Sequence, residues 1–201
     1  KIVSRSFKLL GIDNNNLNNR IVAEEDIKNS ISMHYYEGSV LKYSKDMLDG
    51  VLDLKDIAIT YVMKHRQELF TINIDLPNKQ LLEAVLKSQY SRIPVWKDNP
   101  DNIIGVLHIR DLFREIHYNT KEVDTIDIIK IVRDPWFVLN NTSLSKQLLA
   151  FRESRTHFAF VIDEYGSILG IVTLEDILEE IVGEIQDEHD KGIHEIKKVT
   201  K

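Results

Sequence analysis

The spacing of apolar and polar positions changes character near residue 60. Before that point the apolar residues fall at helical intervals. Val22-Ala23-Glu24-Glu25-Asp26-Ile27 reads as a helix start with acids in its first turn. Ser44–Asp56 reads as a second helix, with Met47, Leu48, Val51, Leu52 and Leu54 in an i, i+1, i+4, i+5 stripe. Between the chain start and these helices, Asp13-Asn14-Asn15-Asn16-Leu17-Asn18-Asn19 is polar and low in complexity, which favours turns and disorder. Residues 1–60 are therefore expected as a helical lead-in and linker without a core of their own.

From about residue 61 short β-rich runs alternate with short helical ones, and the pattern occurs twice. Phe70-Thr71-Ile72-Asn73 recurs as Phe137-Val138-Leu139-Asn140, and Lys79-Gln80-Leu81-Leu82 as Lys146-Gln147-Leu148-Leu149, both 67 residues on. Further along, Asp98, Ile103, Gly105, Asp111 and Glu115-Ile116 match Asp163, Ile168, Gly170, Asp176 and Glu180-Ile181 at an offset of 65. A two-residue difference in one loop reconciles the two offsets. Each copy predicts strand, helix, strand, strand, helix. In copy two these are 137–139, 144–153, the apolar run Phe158–Ile162, Ile168–Thr173, and Leu174 to about Ile185. The run Phe158–Ile162 has the composition of a strand buried on both faces. Asp163–Ser167 is a turn, with Gly166 suited to positive φ. In copy one the strands are Ile93–Trp96 and Ile103–His108, joined by a turn at Asp98–Asn102. The fold class is α+β: two tandem repeats, each with an open sheet, that bury sheets and helices against one another as a pseudo-two-fold pair.

Composition narrows the function classes. The chain has 201 residues, 43% hydrophobic and 29% charged, with a formal net charge of -6. No basic stretch tracks a phosphate backbone, which argues against nucleic acid. Cysteine is absent, so disulfides and zinc thiolates are excluded. No apolar run reaches the roughly 18–20 residues that span a bilayer. No phosphate-binding P-loop, nucleophile elbow or paired-histidine metal motif occurs, and no acid/base constellation points to an enzyme.

One motif carries chemistry. Gly170-Ile171-Val172-Thr173-Leu174-Glu175-Asp176-Ile177 lies where a strand runs into a helix. Thr173 at the helix start can hydrogen-bond an anion alongside backbone N–H groups. Asp176, one turn later, can accept from a ribose diol. Gly170 leaves room for a ligand or a backbone to approach. Taken alone, Thr173 and Asp176 read first as the N-cap and N3 of a capping box. Their place in a repeat, after a buried strand, adds weight to the binding reading.

The repeat resembles the CBS domain, and the pair a Bateman module. More narrowly, Tyr90-Ser91-Arg92-Ile93-Pro94-Val95, Phe158 to Gly166, and Gly170 to Ile185 resemble the CorC, hemolysin C, TlyC and CNNM group linked to magnesium and cobalt efflux. The resemblance covers residues 60–188 strongly and 20–60 loosely. It implies five segments: 1–60 leading from a membrane domain, CBS repeat 1 at 61–118, a linker at 119–134, CBS repeat 2 at 135–188, and a tail at 189–201 toward a C-terminal domain. It further implies a regulatory, non-enzymatic module at the cytoplasmic face of the membrane. Such a module binds AMP or ATP, the latter with magnesium, forms a homodimer, and acts on the transmembrane domain of the same full-length chain. By the family pattern Thr173 and Asp176 hold phosphate and ribose. Tyr90, Ser91, Arg92, Ile93 and Pro94 lie against the nucleotide, with Arg92 as phosphate partner through its forked guanidinium. Arg92 also reads simply as a surface arginine before a buried strand.

Copy one departs from this pattern. His108 stands where copy two has Thr173, so the hydroxyl is lost although Asp111 is kept. The expectation is one good nucleotide site and one degenerate or empty one, with Asp111 chiefly complementing a helix dipole. Val62-Met63-Lys64-His65-Arg66 departs too, since relatives commonly carry Thr-Pro after the Met.

Other features read as structural. Asp187, Glu188, His189, Asp190, His194 and Glu195 form a solvated linker rather than a metal site, because Gly192 interrupts any helix. Trp96 and Trp136 are packing residues, and Ile177, Leu178, Ile181, Val182 and Ile185 are a core or dimer stripe. The competing function is a purely structural dimerisation module without nucleotide.

Overall fold

A computed structural model describes residues 14–118 and 126–183. The Asp187–Glu195 cluster, Ile185 and the tail lie outside the described residues. Among the described residues, those within Asp56–Ile177 form one compact unit, and those up to Lys55 together with those from Leu178 form another.

Within the first of these, each repeat is a β-α-β-β-α unit. Repeat 1 contributes β2 (Ile72–Asn73), α3 (Asn78–Lys87), β3 (Arg92–Lys97), β4 (Asn99–His108) and α4 (Ile109–Tyr118). Repeat 2 contributes β5 (Phe137–Leu139), α5 (Leu144–Ser154), β6 (Phe158–Ile162), β7 (Ile168–Thr173) and α6 (Leu174–Val182). In both, the helix carries the chain over so that the next strand runs parallel to the last, and a hairpin then adds an antiparallel strand. The sequence expectation holds closely in repeat 2. There β6 is buried from Phe158 to Val161, and Gly166 turns the hairpin at φ +83°. In repeat 1 the turn is tighter than expected. Asp98 takes φ +61°, β4 begins at Asn99, and residues 100–102 bulge out between the Lys97–Asn99 and Trp96–Ile103 pairs.

The sheets exchange edges. β1 (Lys64–His65) precedes repeat 1 but pairs antiparallel with β7 of repeat 2, giving the order β1-β7-β6-β5. Reciprocally, Arg133 precedes repeat 2 but bridges Val106 on β4, whose sheet runs β2-β3-β4. Two matched glycines permit this. A Cβ on Gly170 would lie 2.1 Å from the Lys64 carbonyl oxygen, and one on Gly105 would lie 2.3 Å from that of Arg133. Of the two roles open to Gly170, the structure assigns the close approach of a backbone.

Two cores follow. Ile72, Leu81, Val85, Ile93, Val95, Leu107 and Leu112 fill repeat 1, and Ile126 and Ile128 join them from the segment the sequence reads as linker. Where the sheets face, Val106 and Ile103 of β4 pack with Phe158, Phe160, Ile168 and Ile171. Each fully buried side chain of this size contributes about 1.5–3 kcal/mol.

The second unit holds α1 (Asn14–Tyr36), α2 (Lys42–Asp53) and the last turn of α6. Asn14–Asn19 lie inside α1, where the sequence favours a turn. Asparagine's low helix propensity is a weak prior, and a helix already nucleated downstream extends at small cost per residue. Ion pairs from Lys28 to Asp53 and from Lys55 to Glu24 tie the two helices. Gly50 brings α2 against α6, since a Cβ there would lie 2.7 Å from the Glu180 carbonyl oxygen. The expected α2 stripe is only partly inward: Leu54 is buried, whereas Leu48 and Val51 are exposed. On α6, Ile177 is buried but Leu178 is exposed.

Candidate functional site

The β7–α6 junction holds the motif singled out by the sequence. The Thr173 hydroxyl donates to Asp176 Oδ2 at 2.7 Å, and the Thr173 backbone N–H donates to the same oxygen at 2.6 Å. In return the Asp176 N–H donates to Thr173 Oγ1 at 3.3 Å. This is the reciprocal bonding of a capping box. It also fixes the aspartate for ligand chemistry. Oδ2 is taken by the cap, while Oδ1 has no hydrogen-bond partner among the described residues and can accept from a hydroxyl. Both residues are half-buried.

The Tyr90–Pro94 segment enters β3. Lys64, paired with Ile171 on β7, donates from Nζ to the Tyr90 hydroxyl at 3.2 Å and lies 4.9 Å from the centre of its ring. Hydrogen bonds from Lys64 and then Gln89 hold the Tyr90 phenol below its usual range. Phe70 stacks on Tyr90 at 6.4 Å. Tyr90 is thus tied through Lys64 to the strand that ends in Thr173. Ile93 is a core side chain with no exposure and offers no side chain to a ligand; Pro94 is buried beside it.

Ser91 and Arg92 line a cavity of about 620 Å³ whose walls include neither Thr173 nor Asp176. Its other lining comes from the β4–α4 junction (His108, Arg110), from Arg133 and Trp136, and from Arg155–Phe158. This is the first-repeat counterpart of the Thr173 junction. His108 does lack the hydroxyl, as expected, but the space beside it is a cavity. Asp111 is not a free helix-start acid: the Arg133 guanidinium donates to its Oδ2 through Nε at 2.9 Å and through a terminal nitrogen at 2.5 Å. Burial pushes the Asp111 carboxyl up, but the bonds and charge of Arg133 outweigh it and leave it below the usual carboxylate range. Burial, then the charges of Arg133 and Arg92, hold the His108 imidazole below its usual range.

Sequence reasoning missed Arg110, Arg133 and Arg155. A signal for Arg155 was present: the 65-residue offset sets Arg155-Thr156-His157-Phe158 opposite Tyr90-Ser91-Arg92-Ile93. Arg133 gave none, because only the edge exchange brings it to β4. Among the described residues, no group of three or more histidine and acidic side chains could hold a metal. No helix among them is long and apolar enough to cross a membrane.

The description "CBS domain" matches residues 54–118 and 126–183. Magnesium and cobalt efflux protein CorC of Pasteurella multocida is 36% identical over 148 residues, 74% of this chain and 48% of that protein. Hemolysin C of Brachyspira hyodysenteriae is 33% identical over 178 residues, 89% of this chain and 64% of that protein. This chain therefore spans about half to two thirds of these relatives. Among solved structures, the CBS domain of the bacterial CNNM/CorC family Mg2+ transporter superposes with a TM-score of 0.75 at 31% identity, covering 81% of this chain and 98% of that one. The same domain in complex with ATP gives 0.65 at 33% identity, covering 70% and 98%. A CBS-domain pair with bound AMP from Klebsiella pneumoniae gives 0.58 at 34% identity, covering 63% and 99%.

Proposed function

This chain belongs to the CBS-domain family, as a tandem pair of the CorC, hemolysin C and CNNM group, and on that premise we propose that it is a regulatory adenine-nucleotide-binding module. The observation that carries the proposal is the Thr173–Asp176 pair, with an unpartnered carboxylate oxygen at the start of a helix. Relatives of known structure hold ATP or AMP. Asp176 accepts from the ribose through Oδ1, and the α6 N-terminus receives phosphate together with the Thr173 hydroxyl, whose single proton turns from Asp176 Oδ2 to the phosphate on binding. Tyr90–Pro94 form the facing wall; Arg92, which also lines the first-repeat cavity, offers its guanidinium to the phosphates from between the two junctions. Magnesium would enter together with ATP.

In the full-length protein the module sits at the cytoplasmic face of the membrane and forms a homodimer. Nucleotide that binds one arrangement of the pair better than another biases the transmembrane part by that difference in affinity. The family's naming points to magnesium or cobalt efflux as the process biased. The module catalyses nothing itself.

Calorimetric titration with AMP, ADP and ATP, with and without magnesium, tests this. Saturable binding of at least one is expected, with Asp176→Ala weakening it about tenfold or more and Asp111→Ala having far less effect. No heat at millimolar ligand, and no thermal shift, would leave the structural dimerisation module as the surviving account.

A further inference from the structure

We propose that the first-repeat cavity is a polyphosphate site that does not recognise a ribose. Its place is pseudo-equivalent to the Thr173 junction, but its chemistry is different. Arg92, Arg110, Arg133 and Arg155 converge on one cavity of about 620 Å³ in a chain whose formal net charge is -6. Lining acids are few: Asp134 stands at the cavity, and Asp111 beside it is bound by Arg133. The carboxylate that would clamp a ribose diol is thus held by a guanidinium, and His108 replaces the hydroxyl. What remains is a set of forked donors, which match phosphate oxygens bidentately.

The arginines are set by the backbone. Arg133 is fixed by two bonds with Val106, N–H to O at 3.0 Å and O from N–H at 2.9 Å, which the absence of a side chain on Gly105 allows. Arg155 closes α5 in the left-handed region at φ +53°, a conformation for which asparagine or glycine is better suited. Arg92 sits opposite His108 in the β3–β4 register, so both side chains lie on one face of the sheet. Arg92 has no ion pair among the described residues. The four come from four separate parts of the chain and are brought together only by the fold.

A chain of phosphates could arrive free or as the tail of a nucleotide, and the experiment separates these. Sodium tripolyphosphate is titrated by calorimetry into the whole chain carrying Thr173→Ala and Asp176→Ala, at low salt, where charge recognition is least screened. Saturable binding is expected. Arg110→Ala with Arg155→Asn, both at exposed positions and the second compatible with positive φ, should weaken it about tenfold or more. Asp111→Asn should strengthen it several-fold, because it frees Arg133. Adenosine should not compete. Competition by ATP would identify a nucleotide tail as the source, and its absence would identify free polyphosphate. The proposal is overturned if tripolyphosphate fails to bind, if the arginine variants bind it as well as the parent while circular dichroism shows both folded, or if Asp111→Asn weakens it. Because the nucleotide junction is disabled throughout, failure here leaves the nucleotide reading untouched, and the reverse also holds.

Discussion

His108 and Thr173 hold equivalent positions, yet one replaces a hydroxyl by an imidazole flanked by guanidinium groups. That imidazole releases its proton more readily in the folded chain than in the unfolded one, because burial and the charges of Arg133 and Arg92 oppose a further positive charge. The unfolded chain therefore binds the proton better. The stability His108 contributes is complete above about pH 6.5 and is lost as pH falls toward the lower folded value. Urea unfolding across this range should show a smaller loss of stability on acidification for His108→Thr than for the parent; an unchanged slope would assign the effect elsewhere. Gln147 makes a second case. It is 1% exposed and its Nε2 has no hydrogen-bond partner among the described residues. An unmet buried donor costs about 1–3 kcal/mol, so Gln147→Met should raise stability by about 1 kcal/mol, and a loss of stability would show that the amide is satisfied in solution.

Strands and helices were largely legible because the repeat is written twice. The apolar run Phe158–Ile162 and the Gly166 turn required no tertiary knowledge, and β5, α5, β6 and β7 follow the pattern almost residue for residue. Edge exchange was not legible. Lys64–His65 and Arg133 each join the sheet of the other repeat, and a two-residue strand has no periodicity to read. The glycines are its trace: Gly105 and Gly170 match in sequence because each faces a crossing backbone. Adding a methyl forces that backbone away, and overpacking of this kind costs about 1–3 kcal/mol. Gly170→Ala and Gly105→Ala should each lower the unfolding midpoint accordingly, whereas Gly166→Ala, with open space around its Cβ but φ +83°, should cost less, about 1 kcal/mol. Equal effects at all three would contradict the crossing-strand account.

At the scale of the molecule, one sequence skeleton used twice produces two junctions with different chemistry. The Thr173–Asp176 junction was legible as a motif, and its capping bonds are the ones such spacing implies. The arginine cavity was not, because its residues are scattered and, of its four arginines, Arg92 alone belongs to a recognised segment. That asymmetry is the centre of the account: a ribosyl phosphate at one junction and no ribose at the other. Soaking crystals of this chain with ATP and magnesium addresses it most directly. The account predicts adenosine density with its ribose against Asp176 and its phosphates near Thr173, and no adenosine beside Asp111. Adenosine seated against Asp111, with the Thr173–Asp176 junction empty, would contradict it.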